Sequence, residues 1–168
     1  MNQKSEQYWI KHLELTPHPE GGFFRSVSQS AEIYEFKDGY ERSLYTSIYF
    51  LLNQENPSHF HRLKSDEVWY FHAGNPLTVH MLYSDGRYNQ VTLGGTLEKN
   101  ESLQFTVPKG VIFGSTVENH GGYSLVSCMV SPGFDYKDFE LFTQAELLKD
   151  YPQHKSVIEK LAFKTLPD

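Results

Sequence analysis

Apolar and polar positions divide this chain into three regimes. Residues 5–15 (SEQYWIKHLEL) mix the two in helical fashion and predict a short N-terminal helix. Thr16-Pro17-His18-Pro19 ends it, because the residue before a proline is pushed out of the helical region. Glu20-Gly21-Gly22 turns the chain into Phe23-Phe24-Arg25, a predicted strand. A polar stretch, Ser26 to Ser30, leads to Ile33-Tyr34-Glu35-Phe36, and Asp38-Gly39 is a hairpin-turn signal. From Ser43 to Ser131 the pattern is almost wholly β, with strands predicted over 43–52, 58–63, 67–73, 77–83, 88–93, 103–107 and 123–130. Turn signals such as Asn56-Pro57, Asp85-Gly86 and Pro108-Lys109-Gly110 separate them. Short strands at this spacing argue for an all-β sandwich or barrel, whose closure hides apolar strand edges. After Pro132-Gly133 the character changes. Thr143-Gln144-Ala145-Glu146 is a capping box that opens a helix, and Pro152 suits the first turn of another running to about Ala162. With no repeat or linker, residues 1–168 read as one domain carrying helices at its ends.

Candidate chemistry concentrates in His59-Phe60-His61 and Glu67. In a strand, side chains at i and i+2 leave the same face about 7 Å apart, so His59 and His61 can aim two imidazoles at one point. Glu67 opens the next apolar run, Val68-Trp69-Tyr70-Phe71, and a neighbouring strand would bring its carboxylate to that point. Such a set suits proton transfer or a divalent metal. If Glu67 points inward, so do Trp69 and Phe71, while Val68, Tyr70 and His72 face outward. Trp69 and Phe71 then offer a platform for a ligand ring. His18-Pro19-Glu20-Gly21-Gly22 reads as a rigid glycine turn, or as a cover over the barrel mouth that supplies Glu20 or His18. Arg42 and Arg62 could hold an anionic ligand through bidentate bonds. His72 and His80 read as structural, His120 as a solvent-facing turn residue, and Cys128 as a small buried hydrophobe.

Charge and composition narrow the field. The net charge of −6, with no block of Lys or Arg, argues against nucleic acid or an anionic membrane as partner. The longest strongly apolar run, Ile48 to Leu52, is too short to span a bilayer. The first residues lack the apolar stretch of a signal peptide, and a single cysteine forbids an internal disulfide, so a cytoplasmic protein is expected. No Walker loop, dinucleotide fingerprint, Ser-His-Asp order or paired CxxC is present.

His59-x-His61, a carboxylate a few residues on and then Gly74 resemble the first motif of the cupin superfamily, small jelly-roll barrels that hold a metal or ligand inside. Five residues separate His61 from Glu67, one or two more than the usual pattern. Asp66 fits the shorter spacing, and Glu67 fits the distance to Gly74. Pro108-Lys109-Gly110 resembles the turn of the second motif, but Phe113 stands where a metal-binding histidine is expected. His18-Pro19-Glu20-Gly21-Gly22, Ser58-His59-Phe60-His61-Arg62 and Val130-Ser131-Pro132-Gly133-Phe134 together resemble a group of short, uncharacterised cupins. In fold these are similar to the dTDP-sugar epimerases of the rhamnose pathway.

The resemblance implies an all-β, cupin-type jelly roll with short terminal α-helices, forming a homodimer; outward Val68 and Tyr70 agree with the latter. Three functions follow for its small-molecule ligand. An epimerase or isomerase would use His59 or His61 as base, with Glu67 orienting it. A metal-dependent oxygenase would bind a weakly held divalent metal through His59, His61 and Glu67; Phe113 counts against it. A non-catalytic sensor would use the same pocket, with Trp69, Phe71 and Phe113 against the ligand.

Overall fold

Two antiparallel sheets face each other in the computed structural model, which describes residues 4–37, 39–117 and 122–167. Among these, thirteen strands follow one another: β1 (Thr16–Pro17), β2 (Phe23–Gln29), β3 (Ile33–Glu35), β4 (Glu41–Ser43), β5 (Thr46–Asn53), β6 (Ser58–Arg62), β7 (Asp66–Gly74), β8 (Leu77–Leu82), β9 (Tyr88–Leu93), β10 (Gln104–Val107), β11 (Ile112–Val117), β12 (Tyr123–Ser131) and β13 (Glu140–Leu141). Helices α1 (Glu6–His12), α2 (Gln144–Asp150) and α3 (Lys155–Leu161) lie at the two ends of the chain. One sheet has the order β1-β2-β5-β12-β7-β10 and the other β13-β6-β11-β8-β9, so consecutive strands cross repeatedly from sheet to sheet. That is jelly-roll connectivity, as the sequence predicts. No helix among the described residues is long and apolar enough to cross a membrane.

Strand parity builds the core. Phe50 and Leu52 of β5, Trp69 of β7, Val126, Cys128 and Val130 of β12, and Leu77, Val79 and Met81 of β8 meet between the sheets. The opposite face of the smaller sheet is apolar at Phe60, Leu82 and Ile112, and Leu147, Ile158 and Leu161 of α2 and α3 cover it. The capping box closes as expected, with Thr143 and Glu146 satisfying each other's backbone donors. At the other end α1 lays Trp9 and Ile10 over Leu51 and Leu125 of the larger sheet. The terminal helices therefore act as lids over two outer faces that would otherwise expose apolar side chains.

Beyond the short β1 and β13, which the pattern reading does not predict, and its 43–52 strand, which is divided between β4 and β5, two further strands differ from it. β2 continues through Gln29, because the polar Ser26–Gln29 stretch is an exposed strand and not a loop. β11 is absent from the alternation pattern, yet it sits in the middle of the smaller sheet with all six residues buried. A strand covered on both faces need not alternate, and Gly114 and Ser115 break its apolar run. His80 is structural, as expected: its two ring nitrogens lie 2.8 Å from the Thr116 hydroxyl and 2.7 Å from the Tyr88 hydroxyl. Asp38 and His120 lie outside the described residues.

Candidate functional site

The segment His18-Pro19-Glu20-Gly21-Gly22 is folded tightly onto the barrel. The His18 backbone N–H donates to the Gly22 carbonyl at 3.0 Å, and the Gly21 N–H donates to the His18 carbonyl at 3.0 Å. Gly21 and Gly22 have φ of +113° and +74°. A Cβ on Gly21 would lie 2.0 Å from the Pro57 carbonyl oxygen, and one on Gly22 would lie 2.8 Å from that of Leu51. Only glycine satisfies both the conformation and the approach. The loop is tied to β6 because the Glu20 carbonyl accepts from the His59 backbone N–H at 2.8 Å and from the His59 ring Nδ1 at 2.6 Å. Glu20 is thereby turned inward, 6% exposed, and its Oε1 accepts from the Ser58 hydroxyl at 2.7 Å.

A β-bulge then decides which histidine enters the barrel. Phe113 of β11 pairs with His61, but Ser115 pairs with Ser58, so Gly114 faces both His59 and Phe60. Two residues against one break the i, i+2 rule that should have put His59 and His61 on one face. Ser58 and His61 point inward to Glu20, while Phe60 joins the helix-covered outer face and His59 stacks on Phe163 at a ring separation of 3.8 Å. Gly114 is needed there, since a Cβ would come within 2.8 Å of the Ser58 carbonyl oxygen. The expected convergence of His59, His61 and Glu67 is therefore corrected: His59 positions the Glu20 loop from outside.

Glu20, His18, His61 and Glu67 form the polar end of a cavity of about 300 Å³ between the sheets. Its other walls combine the apolar Phe24, Ile48, Phe50, Val130 and Phe134 with the polar Ser26, Gln29 and Thr46, and Tyr136 also lines it. The His61 Nδ1–H donates to the His59 carbonyl at 2.7 Å, which leaves the Nε2 lone pair facing Glu20 Oε2 at 3.3 Å. Burial pushes the His61 pKa down to about 4. Burial also raises that of Glu20, opposed by the nearby His18 and the Ser58 hydrogen bond. Both shifts favour a neutral imidazole beside a carboxylic acid, one proton held between two atoms.

Glu67 is the second acid. Burial, then the Glu20 charge, lifts its pKa to about 8; the Trp69 indole and Cys128 thiol oppose this but leave Oε2 without a hydrogen-bond partner. Cys128 is buried, its thiol pKa raised by burial and by both carboxylates, which suits the inert role expected of it.

The other expected ligand contacts lie elsewhere. Trp69, Phe71 and Phe113 belong to the core and not to the cavity wall; Phe113 packs behind His61 at a ring separation of 4.1 Å. The buried Arg42 donates to Asp138 at 2.8 Å, and the half-buried Arg62 donates to Glu140 at 2.6 Å. Each arginine thus has a carboxylate partner away from the cavity. Sequence reasoning missed Phe24, Phe134 and Tyr136. Phe134 and Tyr136 follow the last long strand in Pro132-Gly133-Phe134-Asp135-Tyr136, an aromatic-rich turn whose composition is the only local signal.

The donors do not fit a metal. With His59 outside, the set His59, His61 and Glu67 does not assemble, and no three His, Cys, Asp or Glu among the described residues are arranged to hold one.

An antiparallel jelly roll with a polar cavity between its sheets defines a cupin-type protein. The chain matches the family model described as Cupin superfamily (DUF985) over residues 7–142, and it belongs to that family. A hypothetical protein from Leishmania major is similar at 48% identity and a TM-score of 0.91, over 96% of this chain and 100% of that one. A protein from Shewanella oneidensis, solved by X-ray crystallography, is 50% identical with a TM-score of 0.89, over 95% and 98%. Oxalate decarboxylase from Bacillus subtilis, at 15% identity, has a TM-score of 0.56 over 92% of this chain and 40% of that one, a likeness of fold alone. No curated protein matches the chain.

Proposed function

We propose that the protein is a proton-transfer enzyme of the isomerase or epimerase type acting on a small molecule held in this cavity. The observation that carries the reading is the His61–Glu20 contact: a ring pinned at Nδ1, its free Nε2 3.3 Å from a buried carboxyl. From the less populated form in which Glu20 has released its proton, the pair accepts a proton from a carbon next to a carbonyl. Glu67, titrating close to neutrality, returns one to the ligand, so the protein gains and loses one proton per turnover. The base role thus moves from a His59 or His61 choice to His61 with Glu20, and Glu67 becomes an acid in place of an orienting group.

Deuterium incorporation from D2O into small hydroxycarbonyl compounds, followed by NMR, tests this. His61→Ala is expected to slow exchange on the order of 10²–10⁴-fold. His59→Ala should have a much smaller effect. Exchange unaltered in His61→Ala would overturn the assignment. A bound compound that never exchanges would favour a binding module, the reading to which the apolar walls Phe24, Ile48 and Phe50 also lend support. A homodimer belongs to the same proposal. The hairpin of β3 and β4 leaves Ile33, Tyr34 and nearby Tyr40 exposed, and sedimentation equilibrium would report the mass.

A further inference from the structure

Charge within the cavity selects among small molecules. Its polar end holds two buried carboxyl groups, Glu20 at 6% and Glu67 at 7% exposure, and no lysine or arginine among the described residues lines it. An anionic ligand would meet two acids and no counter-charge, and the two arginines that could have served it are paired elsewhere. Glu67 lines the cavity, and among the described residues no cationic side chain lines it beside that buried carboxyl. A buried carboxylate left in that state is costly, and a charged donor satisfies it better than a neutral one. The walls add a second feature. Phe24 and Phe50 lie edge-on to His18 at ring separations of 4.6 and 5.7 Å, and Phe134 meets Tyr136 at 5.0 Å. Aromatic rings beside buried acids give the hydrocarbon of a cation an apolar seat.

We propose that the natural ligand carries a basic nitrogen, bound as its ammonium form against Glu67 and Glu20, with its hydrocarbon body against Phe24, Phe50 and Phe134. This inference rests on the cavity being the ligand site and names the class of molecule it takes. His18 and His61, the remaining titratable side chains at the polar end, have pKa values lowered by burial and do not compete as cations. Cys128 behind Glu67 stays a neutral thiol, and the Tyr136 phenol of the lining stays protonated.

The test uses the full chain in buffer containing a chelator, titrated calorimetrically at about pH 8.5, above the Glu67 pKa of about 8, with benzylammonium, benzyl alcohol and benzoate. These three share a ring and differ in charge. Benzylammonium is expected to bind roughly tenfold or more tighter than the alcohol, about 1.4 kcal/mol, with benzoate weakest. Glu67→Gln, close in shape and uncharged, should erase most of that preference, and circular dichroism would establish that it is folded. If Glu67→Gln does not fold, crystals of the wild type with benzylammonium decide, the nitrogen lying against Glu67 or not. Alcohol binding as tightly as ammonium, a preference unchanged in folded Glu67→Gln, or no benzylammonium binding would each overturn the inference. Ammonium selectivity without proton exchange in any bound compound would sink the proton-transfer reading alone. Histidine-dependent exchange in neutral compounds with no ammonium preference would sink only this one.

Discussion

Replacing Glu67 with glutamine should flatten the alkaline fall in stability and stabilise the fold wherever the wild-type carboxyl must take up a proton on folding. The Glu67 pKa lies at about 8 in the fold, against an ordinary 4.5. A raised carboxyl pKa means that the folded state holds the proton more tightly than the unfolded one. Stability is therefore lost as pH rises between these two values. At about 1.4 kcal/mol per pH decade the whole loss is on the order of 5 kcal/mol, of which about 2 kcal/mol falls between pH 6.5 and 8.5. His61 works in the opposite sense. Its pKa of about 4 in the fold means that it adds stability as pH rises from about 4 to 6.5, and His80 does the same. His18 and His59, also lowered by burial, add to that acid arm, and Glu20, raised by burial, adds to the alkaline one. The opposing slopes place the stability maximum near pH 6.5.

Urea denaturation at a series of pH values reads this directly. The wild type should lose about 2 kcal/mol or more from pH 6.5 to 8.5, a fall in Tm of roughly 4–8 °C for a domain of this size. Glu67→Gln should remove most of that fall; it should match the wild type only below about pH 4.5 and be about 2 kcal/mol more stable near pH 6, where the unfolded wild-type carboxyl must take up a proton to fold. The reasoning fails if the variant loses as much stability between pH 6.5 and 8.5 as the wild type does.

Three further outcomes follow from the same geometry. Gly114→Ala sets a methyl group against the Ser58 carbonyl and should cost about 1–3 kcal/mol, with His61 displaced, as chemical denaturation and histidine NMR shifts would reveal. Ile158→Ala, in the helix covering the smaller sheet, should cost about 2–5 kcal/mol and leave ligand affinity unchanged, since that helix touches the outer face only. Arg62→Ala should leave affinity unchanged, because its partner Glu140 lies outside the cavity; isothermal titration would show it.

Much of this fold is legible in the sequence because turn signals bracket its strands. β8 and β9 match their predicted limits within a residue, bounded by Gly74-Asn75-Pro76, Asp85-Gly86 and Gly94-Gly95. β11 is not legible, since Gly114 and Ser115 interrupt its apolar run, whereas the equally buried β8 keeps Leu77, Val79 and Met81 at alternate positions. The site divides in the same way. The paired glycines after Glu20 signal a forced loop, and Glu67 sits on the inward parity of β7. The bulge at His59-Phe60 leaves no local mark, because its cause is a glycine more than fifty residues away on β11. Nor do Arg42 and Arg62 reveal in sequence that Asp138 and Glu140 hold them; those pairings are long-range consequences of the fold.

Nitrogen-15 NMR of the histidine rings, recorded from about pH 4 to 8 with and without benzylammonium, puts the two histidines in direct comparison. His61 should remain neutral with its proton on Nδ1 until about pH 4, and its Nε2 resonance should move when the cavity fills. His59, stacked on Phe163 outside the cavity, should keep its resonances. A His61 that titrates near 6.5, or a ligand that moves His59 and leaves His61 in place, would contradict a site built on His61, Glu20 and Glu67.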